Sequence, residues 1–100
     1  MDNWATVIKT RHTEYLANCL EIEITLNDII NDLKQPPINL SVSLEKIDEP
    51  EIAWKISIGS KHILLTYKEI SANYSLRKMN DLNLTYKDYL ISFLLEKCIW

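Results

Sequence analysis

The sequence predicts an α+β domain: an N-terminal helical segment, a three-stranded antiparallel β-meander and a C-terminal helix packed on one face of the sheet. Three observations lead to this prediction. Apolar residues recur at helical spacing over the first third of the chain, alternating runs flank Gly59, the single glycine, and helix-capping residues precede an apolar last segment. Because helices and sheet each present an apolar face, they are expected to share one core.

The first helical segment is predicted from apolar residues at steps of three, four or seven. They are Trp4, Ile8, Tyr15, Cys19, Ile22, Leu26, Ile29 and Leu33. An uninterrupted helix from Trp4 to Lys34 would be about 45 Å long, which is more than a compact domain of this size covers. We therefore expect a break near Ile24-Thr25, with Thr25 as the N-cap of a second short helix.

A strand over Leu20 to Leu26 is the alternative to this helix pair. Apolar and polar residues alternate strictly there, and several are β-branched. Helix is favoured because the apolar stripe continues through this stretch in phase. Pro36-Pro37 ends the helix, since neither ring donates to a helical hydrogen-bond ladder and the residue before proline avoids the α region.

Three strands are predicted from alternating apolar and polar residues. Ile38 to Glu45 places its apolar residues on one side, and Ile52 to Tyr67 is typical of a β-hairpin that turns at Gly59-Ser60. Glycine at the first central position of a two-residue loop favours a type II′ turn, because glycine takes a positive φ without steric cost. The register then pairs Ile58 with Lys61, Ile56 with Ile63, Trp54 with Leu65 and Ile52 with Tyr67.

The chain after Lys68 is less clearly patterned until a final helix. Loop, short helix and edge strand all stay open for residues 69–80. Thr85 as N-cap, with Asp88 in the first turn, then predicts a helix to the end of the chain. Apolar residues cover both sides of this helix and one sheet covers only one side, so we expect a homodimer. The predicted dimer-interface residues are Ile91, Leu95, Cys98, Ile99 and Trp100.

Length and composition favour a single domain, residues 1–100, in a cytoplasmic protein. The chain is 47% hydrophobic and 25% charged, which is ordinary for a globular protein. Its opening residues lack a basic segment followed by an apolar run, and no stretch approaches the ~18 apolar residues of a membrane span. The isoleucine, asparagine and lysine content is typical of a low-GC bacterium or its phages.

Residue types that usually carry chemistry are sparse. Cys19 and Cys98 lie outside any C-x-x-C pattern, and neither His12 nor His62 has a Cys, Asp or Glu at metal-ligand or triad spacing. Phosphate-binding loops need several glycines, whereas this chain has one. We therefore expect no enzymatic activity, no cofactor and no metal site.

Charge is unevenly distributed along the chain. Glu14 to Glu51 contains nine acidic residues and two lysines, whereas the segment from Ile52 onwards contains four acidic residues and seven basic ones. The acidic residues of the loop between the first two strands are the predicted binding residues: Glu45, Asp48, Glu49 and Glu51. We expect a small acidic protein that binds another protein, of the inhibitor, immunity or anti-defence type, with a secretion-type chaperone dimer as an alternative.

The order helix, three antiparallel strands, helix between about Thr25 and Trp100 resembles the double-stranded-RNA-binding domain. This resemblance implies RNA binding, in which a lysine cluster at the start of the last helix contacts phosphates. The basic residues near that position in this chain are Arg77, Lys78 and Lys87. Asp81 and Asp88 interrupt them, and the sequence pI is about 5.3. RNA binding is therefore the alternative, and nucleic acid is not the expected partner.

Overall fold

A computed structural model describes residues 3–98, so the predictions on Ile99 and Trp100 lie outside the described residues. The elements in chain order are α1 (Asn3–Lys34), β1 (Val42–Ile47), β2 (Ala53–Ile58), β3 (Lys61–Thr66), α2 (Tyr67–Asn80) and α3 (Tyr86–Lys97). The strands form one antiparallel sheet in the order β1-β2-β3. The predicted α+β class and the meander are thus confirmed.

Helix α1 is continuous over 32 residues, so the predicted break near Thr25 is wrong. Thr25 does not cap a helix; its Oγ1 donates to the carbonyl oxygen of Glu21 at 2.7 Å, one turn back in the same helix. A break would be required only if the domain covered the whole helix, and it does not. Every residue from Asn3 to Glu14 is exposed, and the buried residues of α1 begin at Cys19. With a length of about 48 Å, α1 extends far beyond the sheet.

The chain after α1 forms a turn where the sequence predicts the start of a strand. The backbone N–H groups of Ile38 and Asn39 both donate to the carbonyl oxygen of Gln35, and Leu40 N–H donates to Leu33. These bonds satisfy carbonyls at the helix end that would otherwise be unpaired. Strand β1 therefore begins at Val42 rather than at Ile38.

The hairpin has the predicted register. Trp54 lies opposite Leu65, Ile56 opposite Ile63 and Ile58 opposite Lys61. Gly59 has a φ of 59°, and Asn39 is the one non-glycine residue among those described whose φ is positive. Since Ser60 does not share the positive φ, the turn fits type II′ rather than type I′.

Residues left open in the sequence analysis form helix α2. Thr66 is its N-cap, and the Thr66 side chain accepts a hydrogen bond from Glu69 N–H at 3.2 Å. A threonine followed three residues later by glutamate is a recognised helix-start pattern, so this signal was present in the sequence. Strand β3 ends at Thr66 and α2 begins at Tyr67 without a connecting loop.

Helix α3 begins as predicted. The Thr85 side chain accepts a hydrogen bond from Asp88 N–H at 3.1 Å, and the helix ends at Lys97 with Cys98 as its C-cap. Buried residues of all three helices and of the inward face of the sheet form one hydrophobic cluster. Trp54 and Leu65 lie at its centre without solvent exposure.

We expect Gly59→Val to lower the free energy of unfolding by about 1 kcal/mol or more, because a β-branched residue is strained at positive φ. A Cβ at Gly59 would meet no heavy atom within 4 Å, so the loss comes from the backbone and not from a clash. Urea denaturation measures it. The control Ser60→Ala should stay within about 0.5 kcal/mol of wild type, and equal stability of the two variants would contradict the turn.

A matched pair of substitutions tests the burial along α1. Ile22 is 0% exposed and Ile24, two residues on, is 60% exposed. We expect Ile22→Ala to cost about 2–5 kcal/mol through lost burial and a residual cavity. Ile24→Ala should change the stability by about 0.5 kcal/mol or less, because alanine is also the better helix former. Similar losses in urea denaturation would show that the described core face is wrong.

Candidate functional site

An apolar cleft opens between α1, α3 and the sheet. Its volume is about 480 Å³. The lining residues are Ile29, Ile30, Asp32 and Leu33 from α1, Leu40, Ile56 and Ile58 from the sheet region, and Ile91, Leu94, Leu95 and Cys98 at the end of the chain's described part. A concave surface that is almost entirely hydrocarbon suits an apolar occupant and offers few groups for catalysis.

Three of the predicted dimer-interface residues meet in this cleft. Ile91, Leu95 and Cys98 all line it, and Leu95 is 69% exposed. Burial raises the pKa of the Cys98 thiol, so this sulfur is protonated near neutral pH and is a poor nucleophile. The sequence pattern thus singled out residues that form the α3 wall of the cleft, and their role in a dimer stays a prediction. The pattern did not identify the opposite wall, because Ile29 and Leu33 belong to the same stripe as the core residues of α1.

A charged contact links the two helices at the rim of the cleft. Nζ of Lys87 donates to Oδ2 of Asp28 at 2.8 Å and to Oδ2 of Asp32 at 3.0 Å. These hydrogen bonds raise the pKa of Lys87. Both carboxylates are exposed, so the contact contributes little to the stability of the fold. One lysine shared by two aspartates leaves the rim with a net negative charge.

The first part of α1, Asn3–Glu14, is called the arm. Trp4 and Ile8 precede the buried residues Ile22 and Leu26 by 18 residues, or about five turns, so all four point to the same side of the helix. Trp4 is 69% exposed and Ile8 is 59% exposed. The sequence pattern predicts both in the core stripe, whereas in the structure they continue this stripe where none of residues 3–98 covers it. Lys9 and Arg11 are the charged residues between Asn3 and Thr13.

The acidic residues predicted as a binding surface are only partly grouped. Asp48, Glu49 and Glu51 lie in the β1–β2 loop, whereas Glu45 lies within β1 and pairs in register with Lys55. Lys46 Nζ is 3.8 Å from Asp48, and Lys68 Nζ is 3.8 Å from Glu51. Exposed ion pairs of this length contribute little to stability, so the loop stays accessible to another cation.

Other polar groups on the sheet give no catalytic arrangement among the described residues. Ser57 Oγ lies 2.8 Å from His62 Nδ1 across the hairpin, in the predicted register. Ser57 is half-buried and His62 exposed, and His62 has no carboxylate partner in an observed hydrogen bond or ion pair. Nowhere in residues 3–98 do three His, Cys, Asp or Glu side chains come together as a metal site requires. None of the helices described combines the length and hydropathy needed to cross a membrane.

The basic residues that would contact RNA if the chain were similar to the double-stranded-RNA-binding domain make contacts within the protein instead. Arg77 binds Glu96, Nζ of Lys78 donates to the carbonyl oxygen of Leu84 at 2.7 Å, and Lys87 binds two aspartates. Two helices rather than one follow the last strand. The chain matches no protein-family model, no curated protein and no solved structure.

Tyrosines pack where α2 meets α3. The Tyr74 ring stacks on Tyr86 with centroids 4.1 Å apart and meets the edge of Tyr89 at 5.3 Å. Burial raises the pKa of Tyr86 and of Tyr89 to about 12. The Tyr89 hydroxyl is buried without a hydrogen-bond partner. Both phenols are therefore protonated at neutral pH and act as packing groups.

We expect the stability to fall as the pH rises from about 10 to about 12. Tyrosine ionises near pH 10 in the unfolded chain, whereas Tyr86 and Tyr89 hold their protons to about 12 when folded. The contribution of the two tyrosines to stability is therefore complete below pH 10, and it is lost as the pH rises through their pKa in the folded protein. Urea denaturation of wild type and Tyr89→Phe at pH 7 and pH 11 measures this.

The Tyr89→Phe variant should be as stable as wild type at pH 7 or more stable, because it removes a buried hydroxyl without a partner. It should also lose less stability between pH 7 and pH 11. Parallel losses in the two proteins would contradict the raised pKa of Tyr89.

Proposed function

We propose that this chain is a small, non-enzymatic protein-binding module. The observation that carries the proposal is the apolar surface that residues 3–98 leave uncovered on the arm and in the cleft. Trp4 and Ile8 continue the core stripe of α1 into solvent, and the cleft offers an apolar concave surface at the other end of the helix. Exposed apolar surface of this kind is typical of protein interaction sites.

The arm has the form of a ligand for a hydrophobic groove. Its apolar residues Trp4, Val7 and Ile8 follow the i, i+3, i+4 spacing of helices that dock in such grooves. The arm continues a helix whose second half is held in the core, so its helical conformation is formed before binding. Preorganisation of this kind lowers the entropy lost on association.

The acidic loop supplies a second contact of different chemistry. Asp48 and Glu49 are exposed, and the lysines near the loop pair with it only at 3.8 Å. Such a surface suits a basic partner, such as a protein that handles nucleic acid, and would speed association at low salt. An inhibitor, immunity or anti-defence protein acting inside a cell is the class of function that this combination supports.

RNA binding has less support. Nucleic-acid affinity depends on cations that are free to replace counterions on phosphates. Arg77, Lys78 and Lys87 each already bind an acceptor within the protein. We therefore keep RNA as an outcome of the test and not as a second proposal.

Affinity capture from the native host, followed by binding measurements with the purified partner, tests the proposal. We expect a basic protein whose affinity falls about tenfold, or about 1.4 kcal/mol, in the double variant Asp48→Lys, Glu49→Lys. The control Glu21→Lys, Glu23→Lys makes the same charge change on α1 outside the arm and should bind as wild type does.

An RNA duplex of about 20 base pairs, long enough for a double-stranded-RNA-binding domain, is measured in parallel. Capture of RNA alone, with salt-dependent duplex binding that the loop variant does not weaken, would overturn the protein-binding proposal.

A further inference from the structure

The arm and the cleft lie at opposite ends of the same helix. The arm carries Trp4 and Ile8, four residues apart, and the cleft is lined by Ile29 and Leu33, also four residues apart. The rise from the first pair to the second is about 38 Å. One chain therefore contains a helical apolar ridge and an apolar groove, separated so widely that the ridge cannot reach its own groove while α1 is straight.

The direction of the arm's apolar face decides what can lie beneath it. Trp4 and Ile8 point to the same side of α1 as Ile22 and Leu26, which pack on the sheet. The arm thus presents to solvent the face with which the rest of α1 covers a sheet. A second domain placed under the arm, in the layer of the first sheet, would meet this face.

In a dimer with a two-fold axis perpendicular to α1, the second copy of the chain is such a domain. If two α1 helices lie antiparallel about an axis near residues 18 and 19, Trp4 of one copy lies level with Leu33 of the other, and Ile8 lies level with Ile29. Each arm then lies over the cleft of the other copy as an additional helix on its sheet. The arrangement is isologous and closes after two copies, so it does not generate a filament.

The charges of the two surfaces are complementary. Arg11 lies on the apolar face of the arm, about 20° around the helix from Trp4. Asp28 and Asp32 lie at the rim of the cleft and share Lys87 between them. The same two-fold axis puts Arg11 level with Leu26 of the other copy, about 3 Å along the helix axis from the level of Asp28. A heterologous partner would need to reproduce both the apolar groove and its acidic rim, whereas a second copy has both already.

We propose that the protein is a two-fold dimer in which the arm of each copy fills the apolar cleft of the other. The inference rests on the proposed function, because it names a second copy of this chain as the partner of the apolar surfaces. It also extends the predicted interface. Ile91 and Leu95 contact the partner's arm, and the acidic loops of both copies stay available for a different protein.

Sedimentation velocity at micromolar concentration, with three substitutions of an exposed aliphatic residue by aspartate, tests the dimer. Ile8→Asp alters the arm, Leu95→Asp alters the cleft, and the control Ile24→Asp alters the opposite side of α1, where exposure is similar. We expect a dimer for wild type and for the control. The arm and cleft variants should dissociate at least about ten times more readily. Circular dichroism confirms that each variant is folded.

Mixing the two defective variants gives the decisive result. In a mixed dimer the intact arm of Leu95→Asp meets the intact cleft of Ile8→Asp, so one of the two contacts is restored. We expect the mixture to dimerise more strongly than either variant alone. A mixture no stronger than its components, or equal effects of Ile8→Asp and Ile24→Asp, would overturn the proposal.

A monomeric wild type would also overturn it. If Trp100→Ala then increased thiol labelling of Cys98 at every concentration, the occupant of the cleft would be the chain's own last residues. A monomer that still binds a captured protein through the arm refutes the dimer and leaves the proposed function standing. A dimer that binds no other protein refutes the proposed function and leaves the dimer standing.

Discussion

The structure depends on one apolar face that runs the length of α1. From Cys19 onward this face meets the sheet, and Ile22 and Leu26 become fully buried. Over the arm the same face continues with nothing in the described chain to cover it. The helix stays intact because its second half is fixed by packing, which makes extension by further turns favourable once a helix has nucleated. The core and the candidate site therefore have the same origin in one periodic pattern.

Local chemistry made much of the fold predictable. Gly59 fixed the hairpin turn, and strict alternation around it left one register that buries Trp54. Thr85 marked the start of α3 because a side-chain oxygen there satisfies an otherwise unpaired N–H. Thr66 marks the start of α2 in the same way. This start was missed because α2 follows β3 directly, without a loop that would indicate a boundary. Each success rests on interactions between residues close in sequence.

Tertiary placement was not predictable in the same way. Periodicity shows which side of α1 is apolar, but it does not show where the sheet ends, so Trp4 and Ile22 looked alike in the sequence. The cleft combines residues from α1, the turn before β1, the sheet and α3, which only the packed structure brings together. The α3 wall was recognisable because Ile91 and Leu95 give a short helix apolar side chains on a second side. The α1 wall carried no such excess.

The separation of the arm from the core also affects how this sequence can change over time. A substitution at Ile22 must be compatible with a fully packed interior, so few alternatives preserve folding. A substitution at Val7 or Arg11, both exposed, alters contact preferences with little effect on whether the domain folds. The two halves of one helix therefore differ in how strongly folding restricts their side chains. The surface of the arm can thus change in sequence while the scaffold is retained.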